Sequence, residues 1–453
     1  MSKIIKLNRG LDIHLQGEPA AKIIDATGSD TFAVSPPDFD GVVPKLLVRE
    51  GDVVKAGSPL LFDKNRQQVI FASPVSGTVT EIRRGEKRKL LSVVVTSDGR
   101  GESLEFKIPS MASASREDVA GMLLSAGMWP MIIQRPYGRI ADPAAKPKAI
   151  FVSGFDSAPC APDMNFVLSG ELDNLRKGVE VLKKLTDGKV HLGLRAGTEG
   201  VLNRVDNAEQ HFFKGPHPAG NVGVQIAHVD PIRKGDVVWT VDVQNLAIIG
   251  RLFNTGRVDM TKIVCMSGPH VVRPQYYKII GGAQVKSFVM NSNIKPVAEG
   301  HSARIVSGNA LTGGIVSREE FIGFYSNQIT VLAEGDHYEL LGWIAPGLDK
   351  MSVSKTFMSW ICPRKKYNID TNLHGGHRAI VVTGLWEKYV PMDILPMYLV
   401  KACMAGNIDK MEALGIYEVL PEDMALCDFV DPSKTEVQEA IAQGINLMIK
   451  ELS

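Results

Sequence analysis

The residue types that carry redox, metal or nucleophilic chemistry all occur in this chain, but each candidate group is short of partners. Cysteines stand at 160, 265, 362, 403 and 427. They form no Cys-x-x-Cys pair and no even disulfide framework, which fits a reduced, cytoplasmic compartment. A four-iron cluster needs four thiolates, three of them usually in one short run. Cys427, in the phrase running from Asp423 to Pro432, stands alone and reads as a buried free thiol. His374 and His377 flank two glycines, and His211 and His217 flank a Phe-Phe-Lys-Gly-Pro stretch. Neither pair has the third and fourth ligands of a closed zinc site, so both read as loops and no metal is expected. Gly154-Phe155-Asp156-Ser157 has the outline of a nucleophile elbow, but Ala158-Pro159 follows where a glycine is required. A hydrolase is excluded on that ground.

A phosphate or flavin loop uses consecutive glycines, so that backbone N–H groups can reach the ligand. The segment 125–138 offers Gly127 followed by Met128 and Trp129, which cannot cradle a phosphate. Trp129, Arg135 and Tyr137 are instead the residues suited to an apolar pocket or a subunit contact. Further upstream, Gly51-Asp52 with Gly57 and Leu60, followed by Ser73-Pro74-Val75-Ser76-Gly77-Thr78-Val79, resembles the barrel-sandwich fold of biotinyl and lipoyl domains. A carrier domain needs a lysine on its exposed hairpin. Counting back from Gly77 to that position lands on Arg66, with Lys64 two places off, so the fold reads as structural.

Three textures supply the elements that hold these residues. From about 20 to 96 short strands (42–48, 53–62, 73–82) alternate between glycine and proline corners, an all-β pattern. From about 147, a strand at 148–152, an amphipathic helix at 171–185 and a strand at 189–194 suggest a βαβ unit and a doubly wound α/β domain. Beyond Gly256 the chain is strand-rich again, at 263–266 and 321–325. The last hundred or so residues turn helical, at 392–405, 409–414 and 434–449. The 453 residues are 44% hydrophobic and carry a net charge of +1. That excludes a disordered chain and gives no global pull toward nucleic acid. The basic run 83–89 reads as a solvated turn. No stretch reaches the roughly 18 apolar residues of a membrane span, and the opening residues are too interrupted for a signal peptide.

Taken in chain order, a set of blocks resembles the NqrA family of the sodium-translocating NADH:quinone reductases over essentially the whole chain. They are the opening 4–12, the 73–79 block, Gln134-Arg135-Pro136-Tyr137, the run 215–223, Val237-Val238-Trp239-Thr240, Gly250-Arg251-Leu252-Phe253, and Glu422-Asp423-Met424-Ala425-Leu426-Cys427 with Asp431-Pro432 beyond. The resemblance implies four parts: a barrel-sandwich (biotinyl/lipoyl-like) domain over 1–105, a Rossmann-like α/β domain over 106–255, a β-grasp (SLBB-like) domain over 256–335 and a mainly helical domain over 336–453. It also implies kinship with the Rnf C subunit and the flavin-binding subunit of complex I. Those relatives have a flavin loop where Gly127-Met128-Trp129 stands, and cluster cysteines where only Cys427 survives. Other members of the family itself are expected to carry cysteines at Ile416 and Asp431. The implied role is a peripheral subunit on the cytoplasmic face of a bacterial inner membrane, one of six in a complex that couples NADH oxidation and ubiquinone reduction to Na+ export. Flavins, iron–sulfur centres and NADH are expected in the five partner subunits, some of them membrane-spanning, and ubiquinone near this one, with Trp129, Gln134, Arg135 and Tyr137 as the candidate quinone or subunit contacts. No catalytic, cofactor-binding or metal residue is expected in this chain. An Rnf-type electron-transfer subunit or a lipoyl or biotin carrier is the alternative.

Overall fold

Apolar residues alternating with polar ones between glycine corners fold residues 31–97 into two sheets that share one core. The computed structural model describes residues 4–297, 302–337, 341–342, 347–362 and 364–452. Among these residues the first sheet joins Thr31–Val34, Leu90–Ser97, Gly77–Arg84 and Val53–Val54, and the second joins Pro44–Leu46, Pro59–Asp63 and Arg66–Ala72. Phe32, Leu60, Leu61, Val69, Phe71, Val79, Val93 and Val95 are buried between them. The 63–66 hairpin is docked and not free to swing. Arg66 donates through Nη1 to the Ile140 carbonyl at 2.7 Å and through Nε to Asp63 at 3.1 Å.

The α/β unit is a seven-stranded sheet among the described residues. Its order is Ile4–Lys6, Glu209–Lys214, Lys189–Arg195, Ala149–Ser153, Val238–Asp242, Ile132–Arg135, Arg139–Ile140. The first five run parallel, and Ile132–Arg135 runs antiparallel to Val238–Asp242. Period-two alternation buries both faces. Ile150 and Val152 share a core with the helices Leu172–Lys183 and Val243–Thr255, while Ala149 and Phe151 join the helix Val222–Val229 and the C-terminal helices. Gly178 and Gly250 let the first two helices cross closely, since a Cβ on either would overlap the other helix's backbone.

A third unit, six-stranded among the described residues, is ordered Gly314–Ile315, Ala303–Ser307, Gln328–Ala333, Thr261–Ser267, Gln275–Ile280, Ile23–Asp25. Two short strands within the span expected of the first domain thus serve elsewhere: Ile4–Lys6 extends the α/β sheet and Ile23–Asp25 edges this one. The strand expected at 321–325 does not form. Beyond one isolated bridge, Phe321 to Gln284, the backbone turns at 322–327. Asp38 accepts from the Phe324 amide at 2.9 Å, and the rings of Phe324 and Tyr325 pack edge-on against Phe39. That apolar run serves as a plug between units, which is why it mimics a strand in sequence.

The C-terminal helices are Pro396–Met404, Ile408–Ala413, Ala425–Val430 and Val437–Leu452. The first of them begins close to the helix expected from 392. The described residues of 347–395 make only short 3-10 turns, at Met358–Ile361 and Trp386–Lys388, because glycines at 347, 375, 376 and 384 and Pro391 interrupt any longer helix.

Candidate functional site

Open α/β sheets take ligands beyond the carboxyl ends of their strands, at the point where strand order reverses. Here that point lies between Ala149–Ser153 and Val238–Asp242, and protein fills it. One oxygen of Asp242 caps its own helix, accepting from the Gln244 and Asn245 amides at 2.9 and 3.3 Å. The other accepts from Asn327 at 2.8 Å. Gln244 exchanges hydrogen bonds of 2.9 Å with the backbone of Ile263. Lys262 is buried close by. Burial pulls its ammonium down to about 8, against the opposing charges of Asp242 and Asp38.

The segment expected to stand in place of a flavin loop is closed as well. The amides of Gly127 and Met128 donate to Leu124 and Leu123 carbonyls at 3.1 and 2.9 Å, so neither is free for a phosphate. A Cβ on Gly127 would sit 2.5 Å from Cβ of Ala72, and Met128 and Trp129 are buried. The cavity left there, against Phe39 and Phe71, is about 20 Å³. That is room for roughly one water molecule. A flavin does not fit these residues.

The structure divides the four residues singled out from the sequence into two pairs. Trp129 donates to the Ala141 carbonyl at 2.8 Å and meets Trp239 edge-on, centroids 5.5 Å apart. Gln134 accepts from the same Trp239 indole at 3.3 Å and from the Asp142 amide at 3.1 Å. Strand alternation sends Arg135 to the opposite face. There it is only 1% exposed and donates to Asp423 at 2.9 Å and Glu422 at 2.6 Å. Tyr137 lies on the same side, its ring 6.3 Å from that of Tyr417. Trp129 and Gln134 are therefore core residues of the α/β unit, whereas Arg135 and Tyr137 meet the C-terminal helices. Gly223, in the first turn of Val222–Val229, lets the pair close, because a Cβ there would overlap Asp423 and crowd the Arg135 guanidinium. The positive end of that helix faces the Asp423 carboxylate.

Outside this seam a groove of about 620 Å³ opens between the two units, lined by Ile232, Lys234, Ile394, Leu395, Leu414 and Tyr417 among others. Lys234 pairs with Glu412 at 2.7 Å, and Tyr417 donates to the same carboxylate. The volume suits a small organic ligand, and the lining is mixed, with Arg233, Asp393, Glu412 and Glu418 set among the apolar residues.

The remaining chemical residues have structural duties. Cys427 and Cys265 are buried, and burial pushes both thiols well up. Ile416 and Asp431, where family cysteines are expected, are buried too, Asp431 with its amide on the Cys427 carbonyl at 3.0 Å. Ser157 hydrogen-bonds His217 at 3.0 Å and accepts from the Gly220 amide at 2.8 Å, so the elbow-like phrase is a strap. His377 meets the Lys434 carbonyl at 2.8 Å in a loop.

His211 departs from the loop reading. It lies on Glu209–Lys214, and its Nε2 is 2.9 Å from Nδ1 of His191 on the neighbouring strand, with Glu209 beside both. The Glu-x-His alternation was the available signal, but the partner histidine is 20 residues away and reached only by strand register.

Comparison with known proteins gives a consistent picture. Family profiles match at residues 5–98 (NqrA N-terminal barrel-sandwich hybrid domain), 114–258 (NqrA second alpha/beta domain) and 263–318 (NQRA C-terminal domain). The NqrA subunit of the Na(+)-translocating NADH-quinone reductase of Neisseria meningitidis serogroup A is 35% identical over 452 residues, covering 99% of this chain and 100% of its own length. The proteins of the same description from Yersinia pestis bv. Antiqua and Serratia proteamaculans are 36% and 37% identical, each covering 96% of both chains. A solved NAD+-reducing [NiFe]-hydrogenase aligns with 76% of this chain and 62% of its own at 13% identity and a TM-score of 0.38, too distant to inform the fold.

Proposed function

The chain belongs to the NqrA family of the Na(+)-translocating NADH-quinone reductases, and from that premise we propose that it is a peripheral subunit without a redox cofactor of its own, working at the quinone-reducing end of the complex and in its assembly. The complex then couples NADH oxidation and ubiquinone reduction to Na+ export, a translocase reaction in which this chain alone is inactive. Flavins, iron–sulfur centres, NADH and the sodium path belong to five partner subunits, some of them membrane-spanning. This chain sits on the cytoplasmic face of the bacterial inner membrane. Among its described residues no helix is long and apolar enough to cross a membrane.

The observation that carries the reading is the sealed loop at Gly127. A flavin-type architecture whose nucleotide position holds about 20 Å³ supplies shape without a cofactor. For the quinone, the groove outside the Arg135 seam is the reading's site. Ile232, Ile394, Leu395 and Leu414 suit a ring and tail, and Lys234 keeps an ammonium proton beyond those facing Glu412 for a quinone carbonyl. None of the four sequence candidates lines the groove itself; Tyr137 reaches it only through Tyr417, their ring centroids 6.3 Å apart. Arg135 is a positioning residue that holds Glu422 and Asp423, and Trp129 and Gln134 support the strand beneath.

Two measurements test this. The purified chain should show no stoichiometric flavin or iron–sulfur absorption, and a stoichiometric chromophore would sink the proposal. In the assembled complex Leu414→Glu should raise the KM for quinone while leaving NADH oxidation by an artificial acceptor intact. An unchanged KM would remove the groove from the quinone path.

A further inference from the structure

The strands Lys189–Arg195 and Glu209–Lys214 are parallel neighbours in a register that pairs His191 with Glu209 and Gly193 with His211. Side chains at paired positions, and at positions two apart on one strand, leave the sheet on the same face. His191, Glu209 and His211 therefore project together, and their ligand atoms all lie within 4.8 Å of one another. We propose that these three residues form a binding site for a divalent transition-metal ion of the zinc class, with solvent completing the coordination.

Two neutral imidazoles and one carboxylate are the donor set of borderline-soft divalent ions, not of Mg2+ or Ca2+, which take oxygen ligands. The geometry is close to ready. A tetrahedral ion with Zn–N bonds near 2.0–2.1 Å holds its nitrogens about 3.3 Å apart. The two ring nitrogens stand at 2.9 Å and face each other, so the half-buried His211 ring has to turn outward until both lone pairs meet at the ion. At present one ring must donate its N–H to the other. On metal binding that ring keeps its proton but carries it on its other nitrogen, so both facing lone pairs become ligands and no proton is lost.

The surroundings favour the neutral rings this requires. Burial, with the neighbouring His211, pulls His191 down to about 4, and burial lowers His211 as well. Phe151 stacks on His191 with centroids 4.5 Å apart and planes 23° from parallel, which fixes that ring's orientation. Glu209 is held by Lys189 at 2.6 Å, but Lys189 is 68% and Glu209 40% exposed, so exchanging that ion pair for a metal bond costs little. His191 is buried while Glu209 and His211 are half-buried, which leaves one open side for entry and for a water ligand. The ion would clip together two strands that the sequence joins only through the 196–208 connection.

The test uses the full purified chain, stripped with a chelator and titrated with Zn2+ against a chromophoric competitor, and with Co2+ for its visible ligand-field bands. One ion per chain is expected, with bands of a four- or five-coordinate site and a rise in melting temperature. His191→Gln risks the fold because that ring is stacked in the core, so Glu209→Gln and His211→Gln are the deciding variants. Each should weaken binding more than about tenfold, the loss that even a partner outside the ligands can bring. Each should also abolish the thermal shift. His377→Gln, in the exposed loop pair, should change nothing. Unaltered affinity in His211→Gln and Glu209→Gln, or loss of binding in His377→Gln, would overturn the assignment.

Discussion

Replacing Arg135 with methionine keeps the length of the side chain and removes the cation that ties the α/β sheet to the C-terminal helices. Two carboxylates lose their partner, and they are not equivalent. Glu422 is 46% exposed and can turn to water, so its contact contributes about 0–1 kcal/mol. Asp423 is wholly buried. A buried charge stranded by removal of its partner costs about 3–5 kcal/mol. Asp423 keeps the Leu420 amide at 3.1 Å and the helix terminus at Gly223, which favours the lower part of that range. At about 2–4 °C per kcal/mol for a unit of 150–250 residues, the transition that includes the C-terminal helices should fall by roughly 6–20 °C. Calorimetry should resolve that transition, because a chain of several units need not melt in one step. Limited proteolysis should show the helical unit cut early while the barrel-sandwich core persists. The double variant Arg135→Met/Asp423→Leu removes the stranded charge and should recover most of the loss. A fall of less than about 2 °C in Arg135→Met, or a double variant as unstable as the sum of the single ones, would refute the account of the seam.

Three further outcomes are expected. Gly127→Ala places a methyl 2.5 Å from the Ala72 methyl at a backbone φ of +68°, and should destabilise the chain by about 1–3 kcal/mol in denaturant unfolding; a neutral result would mean the loop is not sealed. Asp38 is raised to about 6 by burial, above its ordinary 3.8. The native state therefore binds the extra proton in that window and stability declines as pH rises through it. Asp38→Asn should flatten the decline between about pH 4 and 6, and an unchanged slope would exclude Asp38 as its source. In native protein a thiol alkylator should modify exposed Cys362 quickly, and Cys265 and Cys427 only after unfolding; rapid native labelling of Cys427 would contradict its burial.

Local residue patterns were enough to read much of this architecture. Glycine corners between alternating residues marked the β-rich segment, and leucines and valines three or four apart marked the helix now at Leu172–Lys183. The glycine-poor phrase Gly127-Met128-Trp129 and the isolated Cys427 read as unable to cradle a phosphate or hold a cluster, because a loop without consecutive glycines and a cysteine without neighbours lack the required atoms whatever the fold. The 321–325 run misled, since an apolar stretch of that length looks alike whether it forms a strand or plugs a junction. What sequence order could not supply was which distant residues would meet. Arg135 finds Asp423 across 288 positions, His191 finds His211 through the register of parallel strands, and Ile4–Lys6 crosses to a sheet built mostly after residue 130. Periodicity reports only which face of an element is buried. Partners across a sheet or a seam are decided by register, by which charges can be buried together and by where a glycine permits close approach, and those are properties of the assembled tertiary structure.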